Sequence, residues 1–153
     1  MRKTVLLLII SSFFCFGQTT AKVIGIKDGD TVLVLLGDNI QKTLRLAEVD
    51  CPETGQPFGK NAKQFTSSQI FGKNIQFIET DADRYGRTIA KIYYDDGKYI
   101  SAEIIKNGLG WWYYHFSKDK NLGVMQSEAS KSKKGLWADA NAIAPWEWRK
   151  LQY

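Results

Sequence analysis

Residues 31–49 read TVLVLLGDNIQKTLRLAEV, and this stretch decides the fold. Thr31 to Leu36 is an aliphatic, β-prone run, Gly37-Asp38-Asn39 is a turn signal, and Ile40 to Val49 reads as the returning strand. Two such runs about a short polar turn predict a β-hairpin. Outward from it, Lys22 to Ile26 reads as a short strand before the hairpin. Ile75 to Thr80 and Thr88 to Tyr94 read as two more after it, joined through Asp81 to Arg87. Between them Pro57 opens a helix, with Phe58, Ala62, Phe65 and Gln69 at helical spacing and Gly72 as its stop. Asp95-Asp96-Gly97 is a tight turn; Ser101 is the expected cap of a second helix, with Ile100 and Ile105 as a hydrophobic staple and Asn107-Gly108 as its end. Asp119 caps a third helix that carries Leu122, Met125, Ala129 and Leu136 on one stripe, with Gly135 near its end. Pro145-Trp146-Glu147-Trp148 has neither helical nor strand period, so Trp137, Trp146 and Trp148 read as a cover over the strands.

Five short strands followed by helices predict an α+β fold, mainly β: a small closed barrel of the OB-fold type with about three helices packed on it. The 153 residues suffice for one domain, and from Lys22 onward no linker, repeat or low-complexity tract divides them. A 44% hydrophobic share against 24% charged excludes general disorder, and two Cys exclude a disulfide scaffold. Twenty-one Lys and Arg against 16 Asp and Glu leave +5, which favours a polyanionic partner without naming one.

The first 17 residues read as a signal peptide. Arg2 and Lys3 are a basic start, Val5 to Phe16 is an almost unbroken apolar run of 12 residues, and Gly17-Gln18 is the expected cleavage point. About 20 apolar residues would be needed to span a bilayer. The expected mature domain is therefore 18–153, with a Trp-rich tail, secreted or held in a periplasm or at a cell surface. Lipidation at Cys15 is the less favoured alternative, since Ser12-Phe13-Phe14 before it is bulky. After cleavage Cys51 is the sole cysteine, so no internal disulfide is expected.

Two acidic clusters fall at the ends of the hairpin strands. Asp28-Gly29-Asp30-Thr31 precedes one arm, and Asp50-Cys51-Pro52-Glu53-Thr54 follows the other. Taken singly, each is also an ordinary turn or strand-end signal. Together they can converge at one end of a barrel, where carboxylates repel unless a cation lies between them, and hard oxygen donors select Ca²⁺ or Mg²⁺. Arg45, set among apolar residues in Leu44-Arg45-Leu46-Ala47, is either an outward charge or a guanidinium that grips phosphate with both arms. Arg87, in Asp83-Arg84-Tyr85-Gly86-Arg87, is either a turn charge or a second such group. Two Arg, two Asp and a Glu are the parts that phosphodiester hydrolysis requires. Asp81-x-Asp83-x-x-Gly86 begins like an EF-hand loop, but its fifth position is Tyr85 and its twelfth Ile92, which excludes one. His115 is the only His, which excludes sites built on paired histidines. Trp111-Trp112-Tyr113-Tyr114 is either a buried strand or a stacking platform for bases, and Lys131 to Lys134 is either a solvated helix end or an attractor of nucleic acid.

Asp28-Gly29-Asp30-Thr31, then Leu44-Arg45-Leu46 running into Asp50-x-Pro52-Glu53-Thr54, then Asp83-x-Tyr85-Gly86-Arg87, resemble in order and spacing the staphylococcal nuclease (thermonuclease) family. Ala62, Phe65 and Asn107-Gly108-Leu109 extend the likeness, which runs from about Lys22 to Trp137. The resemblance implies an OB-fold barrel with three helices and Ca²⁺-dependent cleavage of DNA and RNA that leaves 3′-phosphate ends. It implies that Asp30 and Asp50 hold Ca²⁺ through carboxylates and Cys51 through its main-chain carbonyl. Glu53 would be the general base or water-orienting group, and Arg45 and Arg87 would stabilise the pentacoordinate phosphate. Arg84, Tyr85 and Tyr114 would contact substrate. No stable protein partner is implied, and a monomer is expected. Position 51 carries Cys where the best-known member has Thr, and Phe116 stands where a nucleotide-contacting Tyr is usual, which bears on affinity more than on reaction type.

Two function classes stay open on these residues. One is a secreted nuclease; the other is a non-catalytic nucleic-acid-binding module of the same fold. A glycan-binding surface protein using the Trp-rich face is a third. The joint presence of Arg45, Glu53 and Arg87 favours the enzyme.

Overall fold

In the computed structural model, which describes residues 17–152, the hairpin of residues 31–46 forms as expected. The apolar run Val5 to Phe16, read above as part of a signal peptide, lies outside the described residues, Cys15 included. Eight strands and four helices follow in the order β1 (Thr19–Ile26), β2 (Thr31–Leu35), β3 (Gln41–Leu46), β4 (Val49–Asp50), α1 (Gly59–Ile70), β5 (Asn74–Ala82), β6 (Thr88–Tyr94), β7 (Lys98–Tyr99), α2 (Ile100–Lys106), β8 (Trp111–Trp112), α3 (Lys120–Lys131) and α4 (Pro145–Leu151). Single 3₁₀ turns occupy Tyr114–Phe116 and Gly135–Ala138.

Five strands close a barrel. β1 runs antiparallel to both β2 and β5, β2 pairs with β3, and β5 with β6. The seam is parallel: Leu44, Arg45 and Leu46 of β3 lie opposite Thr88, Ile89 and Ala90 of β6. Closure removes the free edges that an open five-stranded sheet would expose. The alternation along each strand points Val23, Val32, Val34, Leu44, Leu46, Ile75, Phe77 and Ile92 inward, where they are all but fully buried. Ala62 and Ile70 of α1, Ile100, Ile104 and Ile105 of α2 and Leu122 of α3 complete the same core.

Several local expectations are corrected. The second hairpin arm stops at Leu46; Ala47-Glu48 turns the chain, with Glu48 at φ 67°, and β4 leaves the barrel to pair with β8. The buried stripe of α1 is Gly59, Ala62, Thr66 and Ile70, while Gln69 is half-exposed and accepts from the Tyr94 hydroxyl at 2.9 Å. Ser101 is not a cap: the cap position is Tyr99, and Ser101, buried within the first turn, donates to the Ala47 carbonyl at 2.8 Å. Asp119 does cap α3, accepting from the Asn121 N–H, but the helix ends at Lys131, and Leu136 belongs to the following 3₁₀ turn. The tail is helical after all. Pro145 sits at its first position, Glu147 lies in its first turn and Arg149 and Lys150 in its last, which suits the helix dipole. Seven residues are too few for a period to declare itself. Trp137 and Trp146 both pack on Trp111, at 4.3 and 5.8 Å between ring centroids, and Trp146 stacks on Tyr113 at 5.6 Å.

Candidate active site

The two ends of the β2–β3 hairpin carry the charged cluster. Thr31 lies opposite Arg45 in the antiparallel register, and the Leu46 N–H donates to the Asp30 carbonyl at 2.8 Å, so the loop before β2 is fastened beside Arg45. The Ala47-Glu48 turn then brings Asp50 back to the same place. Gly29 permits the close approach: a Cβ there would lie 2.7 Å from that of Cys51 and 2.8 Å from that of Ala62. The Thr66 hydroxyl, buried in α1, donates to the Gly29 carbonyl at 2.6 Å and holds the loop from below.

Arg45 faces into the cluster rather than outward, with its side chain 12% exposed. Its Nη1 donates to the carbonyls of Leu46 and Val49 at 2.6 and 2.8 Å. Its Nη2 donates to Asp50 Oδ1 at 2.8 Å and lies 3.3 Å from Asp30 Oδ2. The Cys51 N–H donates to Asp30 Oδ2 at 2.7 Å, and the Thr31 hydroxyl to Asp30 Oδ1 at 3.2 Å. Asp28 Oδ1 accepts from the Asp30 N–H at 3.0 Å, closing an Asx turn. Arg87, at the start of β6, reaches the rim: Nη1 donates to Thr31 Oγ1 at 3.3 Å, while Nε holds Asp83 Oδ2 at 2.6 Å.

Burial and mutual repulsion set the electrostatics. Burial, then the charge of Asp30, pushes the Asp28 carboxyl up to about 6. The same two causes raise Asp50, against the pull of Arg149 and Arg45. Burial drives the Cys51 thiol far above its ordinary range. For Arg45 burial opposes the charge, but Asp30 and Asp50 outweigh it and the group is held more firmly protonated than usual. Desolvation opposes the Asp83 charge, but the backbone and side-chain hydrogen bonds of Arg87 hold that carboxyl below the usual range.

A residue that the sequence pattern did not mark completes the cluster. Arg149 of α4 places Nη1 2.6 Å from Glu53 Oε1 and Nη2 2.9 Å from Asp50 Oδ2. Burial opposes this guanidinium, and the hydrogen bonds and charges of Asp50 and Glu53 outweigh it. Arg149 lies 99 positions from Asp50, and no motif spans that distance. The available signal was a basic residue one helical turn beyond Trp146, following a Pro that can open a helix.

The structure thus brings together Asp30, Arg45, Asp50, Cys51 and Glu53, with Arg87 at the rim through Thr31. Arg84 and Tyr85 sit on the exposed β5–β6 turn, where Arg84 Nη2 donates to the Tyr85 hydroxyl at 2.8 Å and the Tyr85 ring lies 5.7 Å from the Arg87 guanidinium. Tyr114 is half exposed and packs against Trp112, His115 and Trp146, next to the cluster by way of β8, which pairs with Val49–Asp50, and of α4. Among the described residues no three His, Cys, Asp or Glu side chains converge as a ready-made metal centre. The donors on offer are the carboxylates of Asp30 and Asp50, hard oxygens in a place where Asp30 crowds both Asp28 and Asp50, and oxygens of this kind suit a hard divalent cation.

The family model for Staphylococcal nuclease homologue matches residues 43–139. A protein of Haemophilus influenzae called an uncharacterized endonuclease is 38% identical over 88% of this chain and 75% of its own length. A micrococcal nuclease of Shigella flexneri is 35% identical over 93% of this chain and 87% of its own. A staphylococcal-like nuclease of Arabidopsis thaliana, CAN1, is 37% identical over 70% of this chain and 33% of its own. Matched over most of its length and built on the barrel just described, the chain belongs to the staphylococcal nuclease homologue family.

Proposed function

We propose that the protein is a secreted, Ca²⁺-dependent nuclease that hydrolyses phosphodiester bonds of DNA and RNA with little sequence specificity and leaves 3′-phosphate ends. The observation that carries this reading is the gathering of Glu53, Arg45 and Arg87 around the Asp30–Asp50 pair at one end of the barrel. The names of the relatives, endonuclease and micrococcal nuclease, support the reaction class. Export through a signal peptide of residues 1–17 belongs to the same proposal.

Asp30, Asp50 and the Cys51 carbonyl would hold the cation, which when bound supplies a Lewis acid for the phosphate oxygens. Glu53 orients water and accepts its proton as the oxygen bonds to phosphorus and the P–O5′ bond breaks. The 5′ oxygen then leaves with a proton from solvent, and the phosphate stays on the 3′ side. Arg45, fixed by two carbonyls and Asp50, is pre-aimed and needs no reorganisation to meet charge growing on the phosphorane. Arg87, more exposed and joined to the site by one long bond to Thr31, turns its Nη1 end toward the site while Asp83 holds its Nε, and that end meets the phosphate. Tyr85 beside it and Arg84 on the same turn offer a face for a base and a charge for the next phosphate.

The test is degradation of DNA and of RNA by wild type and Glu53→Ala, in Ca²⁺, in Mg²⁺ and in chelator. Wild type is expected to degrade both polymers with Ca²⁺ alone, and Glu53→Ala to be slower by about 10² to 10⁴ with its melting profile unchanged. An equal rate in the variant removes Glu53 from the mechanism. Binding without cleavage by folded wild-type protein under every metal moves the chain to the class of nucleic-acid-binding modules.

A further inference from the structure

We propose that Arg149 is a positioning residue of this site: it holds the Glu53 carboxylate in place and, as a tethered positive charge on Asp50, weakens the hold of the carboxylates on a divalent cation. The inference rests on the nuclease reading above and assigns a role to α4 within it.

One guanidinium bridges two carboxylates, with Nη1 on Glu53 and Nη2 on Asp50. Among the described residues it is the only side chain that donates to the Glu53 carboxylate. A second tether runs in parallel. The Gln56 side chain accepts from the Glu53 N–H at 3.0 Å and donates to the Ile143 carbonyl at 2.7 Å. Segment 143–149 therefore grips Glu53 by its backbone and by its carboxylate. The segment is itself anchored, through buried Pro145 and through Trp146 stacked on Tyr113 and edge-on to Trp111.

The charges give the second half. Asp28, Asp30, Asp50 and Glu53 face Arg45 and Arg149, while Arg87 is balanced by Asp83. With all four carboxylates ionised, the cluster is short by two positive charges, the amount one divalent ion supplies. Removing Arg149 leaves it short by three, so an incoming cation meets a deeper negative well. It also frees the Glu53 carboxylate to swing. Cation affinity and turnover should therefore move in opposite directions, whereas loss of a merely structural ion pair would weaken both.

The experiment compares wild type with Arg149→Gln and Arg149→Lys. CaCl₂ is titrated into each by calorimetry, and kcat and KM for single-stranded DNA are measured at saturating Ca²⁺. For Arg149→Gln the Ca²⁺ Kd is expected to fall about tenfold. Its kcat is expected to fall about 100-fold, with KM for DNA little changed. Arg149→Lys keeps the charge without the fork, so its Kd should stay near wild type while its kcat recovers only in part. Tryptophan fluorescence, dominated by the cluster around Trp146, checks that α4 stays docked; should the Gln variant undock it, the Lys variant decides on the same two readouts. Weaker Ca²⁺ binding in Arg149→Gln, or an unchanged kcat, overturns the inference. If wild type binds Ca²⁺ but cleaves nothing, the nuclease reading fails instead, and the titrations still decide whether Arg149 opposes the cation.

Discussion

Asp28 carries an acid whose burial beside Asp30 favours the neutral form. Its carboxyl is raised to about 6 in the folded chain against about 4 unfolded, so its contribution to stability is complete below pH 4 and is lost as pH rises through 6. Asp28→Asn keeps the oxygen that accepts from the Asp30 N–H and removes the charge. In chelator at pH 7 the variant should be more stable by about 2 kcal/mol, after discounting for partial exposure, and equal to wild type near pH 3.5. Urea midpoints across that range measure it, and a gap that does not change with pH would show that the Asp28 carboxyl titrates alike in the folded and unfolded chain. Cys51 next to it is fully buried with its thiol held protonated, so it should not react with a thiol reagent in the native protein and should react once urea unfolds it. Rapid native reaction would mean that the loop of Asp28–Asp30 opens. The clustering of Asp30, Arg45, Asp50 and Glu53 was legible because they flank or lie on one hairpin, whose pairing brings its two ends together. Arg149 was not, since its partners lie across the whole chain and only packing brings them together.

At the scale of elements, the turn that carries Glu53 is pressed between α1 and α4. Phe58, at φ 67°, starts α1 in a left-handed conformation, and Gly59 follows because a Cβ there would lie 2.1 Å from the Glu53 carbonyl oxygen. Gly59→Ala should therefore push the turn outward, cost about 1–3 kcal/mol and lower the cleavage rate at temperatures where the protein is still folded. Melting curves and rates measured together test this, and a wild-type rate in the variant would mean that the turn yields without moving Glu53. The hairpin was legible from its turn residues and α3 from its Asp119 cap, while α1 was legible as a helix between Pro57 and Gly72 although its buried stripe was not. Ser101 misled because a small hydroxyl before an apolar run looks like a cap, whereas tertiary packing spends its hydrogen bond on Ala47. β4 and β8, two residues each, are too short to declare themselves and exist only through each other. The helix of Trp146 and Trp148 is set by the aromatic wall it lies on rather than by its own pattern.

On the scale of the molecule, the parallel seam between β3 and β6 makes the barrel one cooperative object. Leu44 stands at that seam, fully buried, and its neighbour Arg45 is the centre of the site. Leu44→Ala should cost about 2–5 kcal/mol, and its urea transitions by circular dichroism and by cleavage activity should shift together. Activity lost well before the circular dichroism signal would show that the site frays independently of the barrel. The OB-type barrel was legible from strand count and length, because five short strands with polar turns have few other ways to cover their edges. Which strands meet at the seam was not, since a parallel contact between Leu44–Leu46 and Thr88–Ala90 leaves no local trace.

The ion pairs from α4 to Asp50 and Glu53 also bear on how the protein is made. Synthesis runs from the amino terminus, and the barrel strands are all available once Tyr94 has been added. The guanidinium that meets Asp50 and Glu53 comes some fifty residues later. On a nascent chain the two carboxylates therefore wait without it, and their cluster reaches its final form only when residues 145–151 have been added and α4 has docked. Among the described helices α4 is the last in chain order, so the ion pairs that complete the candidate site are among the last of its contacts to form.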